Sequence, residues 1–403
     1  MKRIILHIDV NNAFLSWTAV DRLHKGEKID IRNRYAVIGG DEAARRGIVV
    51  AKSNLCKERG VVTAESLYSA RRKCPYLEVY PADHALYRKF SDLMYEYLLT
   101  YTNMIERYSI DECFLDYTYS RNLFGDPIQI AHKIKNDIKE KFGFTVNVGV
   151  GNNKLEAKMA SDFKKPDLVH TLFDEELSIK MWPLPIEDLF MLGKASAAKL
   201  KEMGIKTIGE LAHTDRNLLI KKFKSHGQLM WEFANGIDHS EVSYIEHDAK
   251  SISSSTVLPY NYSNRLEMLK ILRTLAMEVG RKLRGKNMFA KNVSIWIKYS
   301  NFIKVSKQIH LDNVIHTDQD IYHYSSMLFD QLWNKEDTVR GLCVGVSNFN
   351  TCNHKQLSLF NIKPEHPNED IQNDKLQKAL DEIRNKYGND KIIYADMIKN
   401  NNK

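Results

Sequence analysis

Two adjacent carboxylates interrupt an apolar, strand-prone run at Tyr108-Ser109-Ile110-Asp111-Glu112-Cys113-Phe114-Leu115-Asp116. In a regular strand, neighbouring side chains point to opposite faces. One of Asp111 and Glu112 would then face a core with its charge unpaired, at a desolvation cost a marginally stable domain does not absorb. The run has two ways out. It forms a turn in which both acids meet water, or a hairpin tip at which both lean toward a divalent cation.

A second apolar run also ends in an acid. Ile4-Ile5-Leu6-His7-Ile8 is rich in β-branched residues and closes on Asp9, so it reads as a buried strand. Sheet proteins tend to place chemistry at such carboxyl ends. Asp9 either caps the helix that follows or joins Asp111 and Glu112, so that three carboxylates gather around two hard cations. Oxygen ligands suit Mg²⁺ or Mn²⁺. Two such ions about 3.5–4 Å apart stabilise the attacking and leaving oxygens of an in-line phosphoryl displacement.

The chain of 403 residues is long enough for several domains with separate cores. Its formal charge of +8 is compatible with a polyanionic partner. The five cysteines, Cys56, Cys74, Cys113, Cys343 and Cys352, show neither CxxC pairing nor zinc spacing. They read as reduced thiols of a cytoplasmic protein. No apolar run approaches the roughly 18 residues of a membrane span.

Several separated motifs, in order, resemble the Y-family DNA polymerases, the lesion-bypass class, most closely its polymerase IV and UV-mutagenesis branches. They are Ile8-Asp9-Val10-Asn11-Asn12-Ala13-Phe14, Gly39-Gly40, Ser109-Ile110-Asp111-Glu112, Gly149-Val150-Gly151-Asn152-Asn153-Lys154, Ala157-Lys158-Met159-Ala160-Ser161-Asp162 and Lys165-Pro166. The resemblance spans about residues 1–360. It implies a multidomain α+β right-hand polymerase. The palm is ferredoxin-like (1–20 and 81–170), the fingers small (21–80), and the thumb a helical helix-hairpin-helix unit (171–236). A linker (237–250), an α/β little finger (251–352) and a tail (353–403) follow.

The resemblance assigns roles residue by residue. Asp9, Asp111 and Glu112 are the catalytic acids and, with the backbone carbonyl of Val10, the ligands of two Mg²⁺ ions, Mn²⁺ being the substitute. Phe14 is the steric gate that collides with a ribose 2′-hydroxyl; from the residues alone, Phe14 and Trp17 read instead as a helix's core stripe. Asn54, Lys57 and Lys154 contact the incoming triphosphate. Gly193 and Lys194 belong to the hairpin that grips DNA phosphate through backbone amides. Lys158 supports the fold or approaches DNA. Arg281, Lys282, Arg284, Lys286 and Lys291 fit backbone tracking or a solvated loop. Gln356, Leu357, Leu359 and Phe360 form a peptide that docks on a bacterial sliding clamp. The implied partners are primer-template DNA, a dNTP and that clamp, with the chain a monomer in itself and nucleoid-associated in a bacterial cytoplasm. Three positions depart from the family pattern: Asn11 stands where a second acid is common, Asn12 where an aromatic or small residue is usual, and Met191 where the hairpin has glycine.

The expected activity is low-fidelity template-directed DNA synthesis. Two other classes remain open at this point. One is a DNA-binding, clamp-associated subunit whose catalysis has lapsed, which the Asn11 departure suggests. The other is a palm-type nucleotidyl cyclase, which Gly39-Gly40-Asp41-Glu42 suggests; that signature requires its acidic turn inside the palm hairpin.

Overall fold

The structure, a computed structural model, describes residues 2–245, 248–351, 367–388 and 391–392, the side chains of 367–374 excepted. Gln356, Leu357, Leu359, Phe360 and Cys352 lie outside the described residues. The chain forms two compact units, Met1–Asp41 with Gly47–Glu246, and Glu42–Arg46 with His247–Lys403.

The first unit begins with strand β1 (Ile5–Val10) and helix α1 (Ala13–His24). Strands β2 (Ala36–Gly39), β3 (Val49–Lys52) and β4 (Glu78–Pro81) follow, with helices α2 (Asn54–Glu58) and α3 (Leu67–Lys73) between the last two. Next come α4 (His84–Leu98), β5 (Ile105–Arg107), β6 (Glu112–Asp116), α5 (Arg121–Phe124), α6 (Pro127–Phe142), β7 (Val146–Gly151), α7 (Lys154–Asp162) and β8 (Val169–Leu172). The main sheet has the order β5-β6-β1-β7-β8. Without β8 this is the ferredoxin-like arrangement, in which the first strand lies at the centre.

Both faces of β1 are buried, which explains its nearly continuous apolar sequence. Leu6, Ile8 and Val10 join Trp17, Tyr87, Ile134 and Phe144 in the core built with α1, α4 and α6. Ile5 faces the other way, toward Phe114 and Ala157 of α7. Helix α7 lies close on β7 because Gly149 has no side chain; a Cβ there would collide with the Ala157 carbonyl. The expected amphipathic helix over 81–105 is α4, which starts where the Asp83 carboxylate accepts the amides of Ala85 and Leu86.

The small sheet has the order β3-β2-β4 and its own core of Val37, Val49, Cys56, Leu67 and Leu77. Gly39 ends β2 in this sheet, away from the Asp111–Glu112 hairpin, so the cyclase signature does not sit in the main sheet. Four further helices, α8 (Lys194–Glu202), α9 (Ile208–Ala212), α10 (Arg216–Phe223) and α11 (Ser225–Ala234), pack around Met181, Ile186, Leu200, Ile208 and Leu219. At the start of α9 the Thr207 hydroxyl accepts the Glu210 amide while the Glu210 carboxylate accepts the Thr207 amide.

The second unit follows the expected β-α-β-β-α-β order. It comprises β9 (Ser251–Tyr262), α12 (Arg265–Arg284), β10 (Phe289–Tyr299), β11 (Lys304–Ile315), α13 (Asp318–Leu332) and β12 (Val339–Asn350). Its antiparallel sheet, ordered β11-β10-β12-β9, packs one face against both helices through Leu272, Ala276, Val293, Ile295 and Phe329. The Asn264 side chain accepts the amides of Leu266 and Glu267 and so caps α12.

One expectation fails here. Arg284 is not available for DNA: its guanidinium is bound by Asp318 (2.9 Å) and Asp381 (2.7 Å). Arg384 reaches the same Asp318 at 3.1 Å. These buried charges fasten α14 (Pro367–Tyr387) to α12 and α13, giving the C-terminal helix a packing role that its sequence did not reveal.

Candidate active site

The register of the main sheet assembles the site. β1 runs antiparallel to β6 and β7, with Asp9 opposite Glu112 on one side and Asn147 on the other. Directly opposed residues share a face, so Asp9 and Glu112 lie together, with His7 and Phe114 behind them. Asp111 falls just before β6. Its backbone carbonyl accepts the Val10 amide at 3.1 Å, and its carboxylate accepts the Ser109 hydroxyl at 2.5 Å. The adjacent acids are therefore accommodated: Glu112 turns toward α7, and Asp111 stays at the more open hairpin end.

Helix α7 supplies the countercharge. Lys158 Nζ donates to Asp9 Oδ2 at 3.2 Å and to Glu112 Oε1 at 3.0 Å, and it pairs with Asp162 at 3.2 Å. Lys165 Nζ reaches the same Asp9 oxygen at 3.0 Å and Asp162 at 2.8 Å. Burial pushes the Asp9 carboxyl above its ordinary range against the pull of both lysines. Burial acts likewise on Glu112, but the His7 ring and the Lys158 charge outweigh it and hold that carboxyl at about 2. Burial would lower Lys158, yet Asp9, Asp162 and Glu112 together raise it. Burial of the fully enclosed His7 ring lowers its pKa from the ordinary imidazole value, against the opposing pull of Glu112.

A cavity of about 230 Å³ opens at the carboxyl end of β1. Asp9, Val10, Asn11 and Asn12 form one wall, Lys52, Asn54 and Lys57 a second, and Lys165-Pro166 a third. Three lysines and a carboxylate around one cavity suit an anion that carries metal-binding oxygens. Lys57 is placed by α2, whose start the Ser53 hydroxyl caps by accepting the Cys56 amide.

Residues 8–162 match the impB/mucB/samB family, and residues 249–359 match the impB/mucB/samB family C-terminal domain. The chain is 45% identical to the DNA polymerase IV of Clostridium acetobutylicum over 404 residues, all of both chains being covered. It is 36% identical to the DNA polymerase IV of Acetivibrio thermocellus, covering 96% of each. The chain belongs to the impB/mucB/samB family, the Y-family DNA polymerases. Its fold matches a solved Y-family DNA polymerase chimera with a TM-score of 0.73 at 22% identity, over 86% of this chain and 98% of that one.

Several of the site residues expected from the family pattern are brought together and others are not. Asp9, Val10, Asn54 and Lys57 share the cavity, and Glu112 joins Asp9 beneath it through Lys158. Phe14 stacks on Tyr87 with ring centroids 4.5 Å apart and an interplanar angle of 12°. It also lies 6.1 Å from Trp17, so it belongs to the helix's aromatic stripe, and it does not line the cavity. Lys154 is placed elsewhere. Both oxygens of Glu106 accept from its ammonium at 2.7 Å, and it does not line the cavity.

The glycines before α7 serve helix–strand packing rather than phosphate. The start of that helix is already closed, the Asn153 side chain accepting the Glu156 amide and Glu156 accepting the Asn152 amide. Gly193 and Lys194 open α8, with Met191 just before them in the left-handed region at φ 65°. Asn11 is occupied structurally: its side chain accepts from Thr145 Oγ1 and the Asp167 amide, and donates to Asn147.

Sequence reasoning missed Lys158 and Lys165 as partners of the acids, and Lys52 as a cavity residue. The available signal was the spacing Lys158-x-x-x-Asp162, which places opposite charges on one helical face.

Proposed function

We infer that the DNA polymerase activity of this chain, nucleotidyl transfer from a dNTP to a primer 3′-hydroxyl under template direction, is carried by Asp9, Asp111 and Glu112. The observation behind this reading is the register that sets Asp9 against Glu112 beside a lysine-lined cavity. Among the described residues, no group of three or more His, Cys, Asp and Glu side chains stands at metal-holding distance. The donor set nevertheless fits hard divalent cations. Asp9 and Glu112 already bracket one positive charge, the Lys158 ammonium, and every donor is an oxygen.

Asp9, Asp111 and Glu112, with the Val10 carbonyl, would hold two Mg²⁺ ions, or Mn²⁺ in their place. When bound, such ions supply charge stabilisation for the attacking and leaving oxygens. Lys57, Asn54 and Lys165 orient the triphosphate and offset its charge. Phe14 excludes a ribose 2′-hydroxyl. Gly193 and Lys194 receive a DNA phosphate, and Gln356, Leu357, Leu359 and Phe360 dock on the clamp, the polymerase acting as a monomer. Asn11 gives no support to a lapsed enzyme, because its amide ties the end of β1 to the loop at Asp167.

Primer extension with Mg²⁺ and dNTPs tests this reading, with DNA affinity followed by fluorescence anisotropy. Glu112→Ala and Asp111→Ala should each abolish extension and leave DNA binding within about twofold. Synthesis retained by either variant would refute the assignment of these acids.

A further inference from the structure

His7 is a core residue with unfinished hydrogen bonding. Its side chain has no exposure to solvent, and it sits edge-tilted on Phe114 with centroids 4.5 Å apart. Nδ1 lies 2.8 Å from Ser161 Oγ. Nε2 has no hydrogen-bond partner, yet it points at Glu112 Oε2 across 3.6 Å. The other oxygen, Oε1, faces Lys158 at 3.0 Å. An apolar side chain would fill this space without leaving a buried nitrogen unpaired.

The Ser161 hydroxyl has two acceptors within 2.8 Å, the Lys158 carbonyl and His7 Nδ1. The Glu112 carboxylate facing Nε2 can only accept, so the ring proton belongs on Nε2 and Nδ1 is left to accept the hydroxyl. A hydroxyl donated to Nδ1 leaves the ring proton on Nε2, facing the carboxylate.

We propose that His7, held in its Nε2–H tautomer by Ser161, is a positioning residue that grips Glu112 Oε2 and so holds Oε1, which bonds Lys158 here, in the rotamer that would ligate a cation. The chain of contacts runs from Ser161 on α7, through His7 on β1, to Glu112 on β6, and so ties three elements to one rotamer. Closing the remaining gap needs a shift of under about 1 Å to reach hydrogen-bond distance. Groups that orient a ligating carboxylate typically carry about 10- to 100-fold in metal affinity or activity. His7 touches no reacting atom and does no chemistry itself.

The proposal rests on the assignment of Glu112 above. His7→Phe should lower kcat for single-nucleotide insertion about 10- to 100-fold with the dNTP KM little changed. It should also weaken Mn²⁺ binding to the DNA-free protein, read by electron paramagnetic resonance, by a similar factor. His7→Gln, whose amide donates from nearly the same place, should recover most of both losses. Should His7→Phe fail to fold, Ser161→Ala takes its place, with the imidazole proton located by ¹⁵N NMR of histidine-labelled protein.

A ring proton found on Nδ1 in the wild-type protein would overturn the proposal. So would a folded His7→Phe protein with kcat and Mn²⁺ affinity within about twofold of wild type. If instead Glu112→Ala retains synthesis, the polymerase-site assignment falls, and His7 falls with it for a separately visible reason.

Discussion

Glu156 shows how a buried group on α7 sets a pH dependence of folding stability. The residue is fully enclosed. Its Oε2 accepts the Asn152 amide at 2.6 Å, while Oε1 finds no partner. Burial, opposed by that hydrogen bond and reinforced by the Asp174 carboxylate, lifts the carboxyl from an ordinary 4.5 to about 8. The folded chain therefore holds a proton that the unfolded chain has released anywhere between those values. Stability must fall as the pH rises through that window, and the loss is complete above the folded value. At about 1.4 kcal/mol per pH unit, the separation amounts to at most ~5 kcal/mol. Partial opening of the site to water reduces this, and about 2–4 kcal/mol is expected.

Glu156→Gln keeps an oxygen for the Asn152 amide and removes the charge. In urea unfolding followed by far-UV circular dichroism, the variant should gain that margin over wild type near pH 8.5. Near pH 5 the two should agree within about 1 kcal/mol. An equal difference at both pH values would refute the reasoning, because a packing effect has no such dependence.

Phe14→Ala should cut discrimination against ribonucleotides about 10- to 100-fold in primer extension, since an apolar contact rejects one added hydroxyl by about that much. The stack on Tyr87 is lost in the same variant, so its thermal unfolding must be recorded alongside; unchanged discrimination in a folded variant would remove Phe14 from the gate. Met191→Gly should stabilise the chain by about 0.5–1 kcal/mol. The left-handed backbone costs a side chain about 1–2 kcal/mol, and glycine's extra freedom when unfolded returns part of that. A lower melting temperature for Met191→Gly would show that the exposed methionine makes contacts that matter more than its backbone.

How much of this was legible depended on whether a residue's meaning lay in its own strand. Asp111 and Glu112 stood out because a two-residue alternation makes adjacent acids in an apolar run anomalous, and Asp9 because it closes a second apolar run. The order of elements in both units could also be read, since period and turn signals are local. Lysine roles could not, because they depend on how α7 lies across the sheet. Lys154 and Lys158 are four residues apart on one helical face, and nothing in their spacing says which stands over the acids. The close seating of α7 at Gly149 decides it. Lys158 lands between Asp9 and Glu112, and Lys154 falls one turn back, about 6 Å away along the axis, where Glu106 takes it. Arg284 was misread for the same reason: its acids arrive from α13 and α14, distant in sequence.

The lysines also explain how carboxylates survive at the centre of a sheet. Like charges directly opposed on neighbouring strands repel, and Asp9 is almost without solvent to screen it, at 7% exposure. Without a countercharge, one of the pair would take up a proton and the site would lose an anionic ligand. Lys158 prevents this by bonding one oxygen of each acid, and Lys165 adds a second cation on Asp9. Asp162 in turn holds both ammonium groups, so neither lysine is left as an unbalanced buried charge. The chain thus folds its acids around cations of its own. Glu112 stays ionised, which a hard divalent cation requires of a ligand, while Lys52 and Lys57 line the cavity as further cations.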